Sequence, residues 1–361
     1  MGKNERYSVL QPLPEQEMYN LVVKMWNFFA ITNNRKIRKQ MSLPVSGGLR
    51  PLSLTNFMSY IQNESDGVDW RRYQAQIAML ASTLESKRIL VHAGDDIKGE
   101  IGYTKCYYNM KELSNRQEEA DFWLGDILGA RFLRQRLENH IVRIEGKNKK
   151  DIPGTGSGIL IAPDVVLTCA HNMQDMQITS CWIGDKKLEI QDKMAHSRYD
   201  VGIIKVMPVR EVNQFPYFGA PAVLEQTLTL GYPPIRGLRN AVMLAQNGEI
   251  NAIGSETFRG CETIVISSIT RPGNSGGPVF SLQGYIVGIV TEEATTGTYF
   301  GKQSTTGVSF GKDDESEKDE ESVIEEPKVE APFYLAISSN ALREIIPEID
   351  PSIEVRFEDF Q

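Results

Sequence analysis

The segment at residues 273–278, GNSGGP, constrains this chain more than any other stretch of its sequence. It places Ser275 among glycine, asparagine and proline, which favour tight turns, and an apolar run follows at once. Gly273 can adopt backbone conformations that other residues avoid, so the amides of Gly273 and Ser275 can point into one pocket. Such a pair of amides suits the binding of an oxyanion. A glycine-rich hairpin whose serine only completes the turn fits the same pattern, so the choice depends on other residues.

A histidine and an aspartate lie upstream, each beside an apolar strand pattern. His171 follows residues 164–170, DVVLTCA, which predicts an imidazole at the mouth of a strand. Asp200 comes directly before residues 201–206, VGIIKV, which predicts a buried carboxylate at the start of another strand. Because a serine hydroxyl is a poor nucleophile at neutral pH, it needs a base, and the base needs a group that orients it. Ser275, His171 and Asp200 have side chains suited to these three roles.

Other candidates for the base and the carboxylate fit the roles less well. Asp164 lies in a Pro-Asp turn, and Asp192 lies farther from the start of a strand. Cys169, close to His171, is expected to be a small buried thiol rather than a redox centre. The remaining histidines lack the small residues at a strand end and are expected to be surface or packing residues: His92, His140 and His196.

Three ordered motifs carry a resemblance to a known family. They are TCAH, which ends at His171, DVGIIKV, which begins at Asp200, and GNSGGP around Ser275. Their order resembles that of the chymotrypsin-like, or trypsin-like, serine proteases. Within that family the chain is most similar to the disulfide-free HtrA (Deg) branch and its bacterial cytosolic relatives, through the segments LGYP, NGEI and FYLAISSN. The resemblance spans residues 141–347.

The resemblance implies a mainly β protease domain of two antiparallel β-barrels, and an enzyme that hydrolyses peptide bonds in protein or peptide substrates. His171 would be the base, Asp200 would orient it, and Ser275 would be the nucleophile. The amides of Gly273 and Ser275 would form the oxyanion hole. This chemistry requires neither a metal ion nor an organic cofactor. Asn274 stands where secreted relatives carry the aspartate that pairs with a new N-terminus, so activation by such a cleavage is not expected.

The resemblance also implies two residues that contact the substrate. Ile269 would line the base of the pocket for P1, the residue on the acyl side of the cleaved bond. Because no acid stands there, small or medium apolar P1 residues are expected. Thr291 would lie at the exposed end of the substrate-pairing strand, residues 287–291.

The cysteines and the start of the sequence bear on the compartment. The chain has four cysteines: Cys106, Cys169, Cys181 and Cys261. They form no CxxC pair, which argues against a structural zinc site, and the positions that secreted relatives bridge carry no cysteine here. Residues 21–31 are too short to span a bilayer and contain Lys24. We therefore expect a cytoplasmic protein without a membrane partner.

The sequence predicts two domains. A helix-rich domain spans residues 1–136, and the protease domain follows at 137–361. Helical patterns at 15–31, 54–62 and 70–86 precede two short alternating segments. Helices followed by a small hairpin are typical of a winged helix, among other folds. The first domain is therefore expected to sense or dock a regulatory partner, which is either a protein or DNA.

Charge is distributed unevenly over a chain whose net charge is −8. Residues 1–140 contain 19 Lys and Arg and 16 Asp and Glu, a balance of +3, whereas residues 141–361 contain 20 and 31, a balance of −11. The small positive balance does not decide whether the first domain binds DNA. Residues 303–331 are dense in charge and poor in apolar residues, which predicts an acidic disordered insertion. That insertion is either a gate over the active site or a passive solubilising loop.

Three functions remain open from the sequence. The first is an intracellular serine endopeptidase that its N-terminal domain controls. The second is a non-catalytic binding protein on a protease fold, against which the complete set of three catalytic side chains argues. The third is a DNA-binding regulator with an attached protease, which salt-dependent binding to duplex DNA would distinguish.

Overall fold

A computed structural model of the protein describes residues 13–45, 47–64, 69–96, 104–110, 113–235, 237–238, 241–256, 261–293 and 333–358. The chain divides into two compact units, Met1–Leu133 and Arg134–Gln361. The helix Ala130–Leu137 crosses this division, and the predicted boundary between residues 136 and 137 falls at its end. The acidic insertion predicted at 303–331 lies outside the described residues.

The first unit is rich in helices and contains a small sheet. Its helices are α1 (Glu15–Phe29), α2 (Asn34–Gln40), α3 (Leu54–Glu64), α4 (Gln74–Ser86), α5 (Asn115–Glu119), α6 (Gly125–Leu128) and the start of α7 (Ala130–Leu137). Strands β1 (Leu52–Ser53), β2 (Val91–Asp95) and β3 (Lys105–Tyr108) form an antiparallel sheet in the order β1-β3-β2. The prediction of a helix-rich first region is confirmed. Strand β1, which the sequence patterns did not indicate, completes the sheet.

Aromatic side chains fill the core of the first unit. Helix α1 buries apolar residues along one face, as the helical repeat requires: Leu21, Val22, Met25, Phe28 and Phe29. The rings of Phe28 and Phe57 lie 5.3 Å apart, and those of Phe29 and Tyr107 lie 5.5 Å apart, both edge to face. Tyr107 belongs to β3, so the helices and the small sheet share one core.

Seven antiparallel strands form the first sheet of the second unit. They are β4 (Ile141–Asn148), β5 (Pro153–Ala162), β6 (Val165–Thr168), β7 (Met176–Ile183), β8 (Lys186–Leu188), β9 (Ile190–Ala195) and β10 (Gly202–Val206). Their order is β8-β7-β4-β5-β6-β10-β9. Val142 and Ile144 alternate with half-exposed residues along β4 and pack with Leu160 and Val166 in the core.

Eight strands form the second sheet. They are β11 (Phe218–Gly219), β12 (Gln226–Gly231), β13 (Leu244–Glu256), β14 (Glu262–Ile266), β15 (Pro278–Ser281), β16 (Ile286–Glu293), β17 (Tyr334–Ser338) and β18 (Phe357–Glu358). Because β15 pairs with β16 as well as with β12, six of the strands close into a barrel in the order β15-β12-β13-β14-β17-β16. The prediction of a mainly β second domain is confirmed. Among the described strands, the second sheet closes and the first stays open.

Two helices accompany these sheets. Helix α8 (His171–Gln174) follows β6, and α9 (Ser339–Ile349) follows β17. The side chain of Ser338 caps α9 by accepting a hydrogen bond from the amide of Asn340. In the described parts of the chain, no helix combines the length and the apolar character needed to cross a membrane.

The register of β6 and β10 brings two predicted site residues to the same end of the first sheet. Thr168, the last residue of β6, pairs with Gly202, the first residue of β10. His171 follows β6 and Asp200 precedes β10. Because these strands are antiparallel, both residues lie at the same end of the strand pair. Ser275 lies in the turn before β15 of the second sheet.

Candidate active site

Asp200 holds His171 by two hydrogen bonds. Oδ2 of the carboxylate lies 2.8 Å from Nδ1 of the imidazole, and Oδ1 accepts a hydrogen bond from the backbone N–H of His171 at 2.9 Å. The Nδ1 contact requires a proton on that nitrogen, which leaves Nε2 of the neutral ring as an acceptor. The side chain of Asp200 is 10% exposed and that of His171 is 30% exposed. The carboxylate is therefore largely buried, while solvent reaches the imidazole.

A third residue contacts the same carboxylate. Thr291 of β16 donates its hydroxyl to Oδ2 of Asp200 at 2.7 Å. Burial raises the pKa of Asp200, but the hydrogen bonds from His171 and Thr291 outweigh burial, so this pKa lies below its ordinary value. The carboxylate therefore stays ionised at neutral pH and can stabilise a positively charged imidazole.

Thr291 also contacts Ser275. The hydroxyl of Ser275 donates to the carbonyl oxygen of Thr291 at 3.3 Å. Thr291 is only 8% exposed, although the sequence predicted that it lies at an exposed strand end. Through its two contacts, Thr291 connects the serine loop to the carboxylate that holds His171. Its predicted role in pairing with a substrate stays a prediction.

A tight turn shapes the backbone just before the candidate nucleophile. The amide of Asn274 donates to the carbonyl oxygen of Arg271 at 2.8 Å, which closes a turn with Pro272 and Gly273 at its centre. Gly273 has a φ of 100°, as the third residue of a type II turn requires, and proline is favoured at the second position. A Cβ atom at Gly273 would lie 2.7 Å from the ring of Pro234. Both the backbone conformation and the lack of space therefore require glycine.

Ser157 of β5 anchors this loop to the first sheet. Its hydroxyl donates to the carbonyl oxygen of Gly273 at 2.7 Å and accepts from the amide of Tyr232 at 2.8 Å. Its own amide donates to the carbonyl oxygen of Ser275 at 3.0 Å. The side-chain amide of Asn172 donates to the same oxygen at 2.9 Å. Neither Ser157 nor Asn172 was predicted as a site residue, because no local pattern marks such long-range contacts.

Cys169 adds a third group of a kind that can bind a metal. Its thiol and the ligand atoms of His171 and Asp200 all lie within 4.8 Å of one another. The thiol donates to the carbonyl oxygen of Val290 at 3.1 Å, and burial raises the pKa of Cys169 well above its ordinary value. Because metals bind the thiolate, this environment favours a packing role for Cys169.

Ile269, the predicted base of the P1 pocket, is 49% exposed, and its contact with a substrate stays a prediction. Its neighbours Ser268 and Thr270 are buried.

The other three histidines contact groups away from Asp200: His92 lies 3.5 Å from Asp95, His140 contacts the carbonyl oxygen of Gln214, and His196 lies 3.0 Å from Glu348.

Comparison with known proteins agrees with this geometry. Residues 156–289 match the family model of the trypsin-like peptidase domain. Over 150 residues the chain is 30% identical to a protein of Synechocystis sp. with the name "Putative serine protease HhoB"; the match covers 38% of this chain and 34% of that protein. Over 183 residues it is 26% identical to the serine protease HTRA4 of Mus musculus, covering 45% of this chain and 35% of that protein.

A solved structure, the serine endoprotease from Yersinia pestis, matches 67% of this chain and 69% of its own chain, with 15% identity and a TM-score of 0.43. The chain spans about a third of the length of the two curated relatives. The predicted resemblance to the trypsin-like serine proteases is confirmed over residues 156–289. Residues 156–289 are therefore similar to the trypsin-like peptidase domain, and the two curated relatives carry the names putative serine protease HhoB and serine protease HTRA4.

Proposed function

We propose that the protein is an intracellular serine endopeptidase that uses His171, Asp200 and Ser275. The observation that carries this proposal is the position of Thr291, whose hydroxyl lies 2.7 Å from Asp200 and whose carbonyl oxygen lies 3.3 Å from the hydroxyl of Ser275. These contacts join the imidazole–carboxylate pair of one sheet to the serine loop of the other. The serine protease names of the relatives HhoB and HTRA4 also support the proposal.

In the proposed reaction, Oγ of Ser275 attacks the carbonyl carbon of the scissile bond while its proton passes to Nε2 of His171. Ionised Asp200 stabilises the imidazolium through the contact with Nδ1. The imidazolium then gives its proton to the amine of the leaving peptide as the C–N bond breaks. Water next attacks the acyl ester, again with His171 as the base, which releases the acid and restores Ser275.

The amides of Gly273 and Ser275 are the proposed oxyanion hole. The type II turn is closed by the amide of Asn274, which lies between these two residues in the chain. Within the described residues, neither of those two amides donates to a protein acceptor. Two such donors would stabilise the tetrahedral oxyanion, and each typically contributes about 3–4 kcal/mol in serine proteases.

The proposed substrate is a protein or peptide with a small or medium apolar residue at P1. This preference rests on Ile269, which lies close to Ser275 in the sequence. Its side chain is apolar and half-exposed. A reducing compartment is proposed because the positions that secreted relatives bridge carry no cysteine in this sequence.

We propose that the first unit docks a regulatory protein partner. Helix α4 exposes Ala75, Met79 and Ser82, which share one face of the helix, and Met79 is 70% exposed. This face contains no Lys or Arg, which contacts with DNA phosphates would need. If the full-length protein bound duplex DNA with an affinity that falls steeply as salt increases, the DNA-reading alternative would replace this proposal.

Hydrolysis of a peptide library tests the proposed function. We expect the full-length protein to cut peptides on the carboxyl side of small or medium apolar residues, as mass spectrometry of the products would reveal. Ser275→Ala should abolish cleavage while leaving thermal stability nearly unchanged. Equal cleavage by Ser275→Ala would exclude Ser275 as the nucleophile, and binding of peptides without any cleavage would favour a non-catalytic protein on this fold.

A further inference from the structure

A cleft of about 600 Å³ lies on the first sheet of the second unit. Its apolar lining comes from Met173 of α8 and from Met176 and Ile178 of β7, two of which are less than a tenth exposed. Its charged lining comes from Lys147, Lys149 and Asp151 near the β4–β5 turn, from Asp175 after α8 and from Lys193 of β9, and all five are exposed. We call this feature the basic cleft.

Two of the three lysines lack a paired carboxylate. Lys147 forms an ion pair with Asp151 at 2.9 Å. Lys149 and Lys193 have no carboxylate within 4.0 Å in the part of the chain that the structure describes. This positive charge stands in a region of the chain, residues 141–361, that carries 20 Lys and Arg against 31 Asp and Glu. Of the charged lining residues, Lys149, Lys193 and Asp175 form no ion pair within the described residues, so the unpaired charge of the cleft is positive and favours a ligand that carries negative charge.

The basic cleft lies next to the candidate active site. Helix α8 begins at His171, and the amide of Asp175, a residue that lines the cleft, donates to the carbonyl oxygen of His171 at 2.8 Å. Every residue that lines the cleft lies between 147 and 195 in the first sheet and its connections. By contrast, Ile269 and Thr291, the predicted contacts of the acyl part of a substrate, belong to the second sheet and its turns. For the proposed reaction, this arrangement assigns the acyl part of the substrate to the second sheet and the leaving peptide, which takes its proton from His171, to the first sheet.

We propose that the basic cleft binds acidic side chains of the substrate on the carboxyl-terminal side of the cleaved bond. This inference rests on the proposed endopeptidase function. Lys149 and Lys193 pair with the carboxylates of Glu or Asp, and the methionine-lined floor accommodates the methylene groups of Glu or a neighbouring apolar residue. The protein then selects cleavage sites by charge on the leaving side as well as by the size of P1.

Paired peptides test this selection. Both peptides share the residues up to the scissile bond, and the three residues that follow position P1′ are Glu in one and Gln in the other. Because one exposed ion pair changes an equilibrium by up to about fivefold, contacts with two lysines predict that wild type cleaves the Glu peptide with a kcat/KM about tenfold higher. The double variant Lys149→Glu/Lys193→Glu should lose this preference and still cleave the Gln peptide. The control Lys186→Glu/Lys187→Glu, which makes the same charge change at β8 and away from the cleft, should keep it.

The outcomes separate the inference from the function on which it rests. If both peptides are cleaved with equal kcat/KM, the basic cleft does not select acidic residues of the substrate. The inference is then overturned, and the proposed function stays intact. If neither peptide is cleaved, the proposed function fails, and binding to the Ser275→Ala protein decides the inference. There we expect the Glu peptide to bind several times more tightly than the Gln peptide, with a difference that shrinks as salt increases. Equal binding by both peptides overturns the inference.

Discussion

Thr291 donates its hydroxyl to the same oxygen of Asp200, Oδ2, that contacts the imidazole of His171. The distances are 2.7 Å and 2.8 Å, so this one oxygen accepts two hydrogen bonds within a largely buried carboxylate. The carboxylate is consequently fixed in direction from both sheets, because His171 follows β6 and Thr291 belongs to β16. Without the threonine hydroxyl, His171 would be the main group that holds the carboxylate of Asp200 in place.

The variant Thr291→Val keeps the shape of the side chain and removes the hydroxyl. We expect a loss of about 1–3 kcal/mol in stability, because a buried carboxylate loses a donor. We also expect kcat to fall about tenfold with little change in KM, which corresponds to about 1.4 kcal/mol of transition-state stabilisation. Steady-state kinetics with Thr291→Ser as the control checks this. The serine variant keeps a hydroxyl and should retain most of the activity; equal losses in both variants would contradict the role of the hydroxyl.

Ser157→Ala removes the anchor of the turn before Ser275. The carbonyl of Gly273 and the amide of Tyr232 both lose a buried partner, so we expect a loss of about 1–3 kcal/mol in stability and a lower kcat. Ser339→Ala is the matched control, since Ser339 is also buried and donates to the carbonyl oxygen of Gly219 at 2.6 Å. Chemical denaturation should reveal similar destabilisation in both variants. Only Ser157→Ala should lower kcat, and an equal effect of both on kcat would oppose the anchoring role.

Gly273→Ala tests the proposed oxyanion hole. The new Cβ would lie 2.7 Å from the ring of Pro234 in a residue whose φ is 100°, so the turn must shift. Because the donors then leave their positions, we expect kcat to fall by about 10²–10³-fold. Gly254→Ala is the control for backbone strain alone: Gly254 has a φ of 83° and open space around its missing Cβ. If Gly254→Ala lowered kcat as much as Gly273→Ala, strain rather than donor geometry would explain the loss.

The lowered pKa of Asp200 predicts how stability depends on pH. A carboxyl group whose pKa is lower in the folded than in the unfolded state stabilises the fold above its unfolded pKa, about 4. That contribution is lost as the pH falls through the lower, folded pKa. Urea denaturation of wild type and Asp200→Asn at a series of pH values measures the difference. We expect the advantage of wild type to shrink below about pH 4; a constant difference across this range would contradict the assigned direction.

The triad candidates could be predicted because each lies beside a strong local signal. His171 and Asp200 flank apolar strands, and Ser275 follows a Pro-Gly turn whose conformation only glycine fits. The strands also follow from their apolar patterns. What the sequence could not indicate is which residues from distant segments meet at the loop. Ser157 reaches Gly273 across a separation of 116 residues, and no period or turn signal encodes that contact.

Thr291 illustrates a second limit of sequence patterns. Side chains alternate across a strand, so a shift of one residue in register exchanges the buried and exposed faces. The pairing of β16 with β17 shifts in register between Val290 and Glu293, around Thr291. Alternation along β16 therefore could not decide which way Thr291 faces, and the expected exposed end is a buried hydrogen-bond donor. The helix-rich first unit was predicted as a class, but β1 is too short, at two residues, to give an alternating pattern.

Covalent labelling of Ser275 tests the central claim most directly. A fluorophosphonate probe reacts with a serine only when a base activates it and an oxyanion hole stabilises the adduct. Incubation of the full-length protein with the probe, followed by peptide mapping, should find one phosphonate on Ser275 and none in Ser275→Ala. Labelling should be much slower in His171→Ala, although that variant keeps the serine. If wild type stays unlabelled at Ser275, or if His171→Ala is labelled at the wild-type rate, the account of this site is wrong.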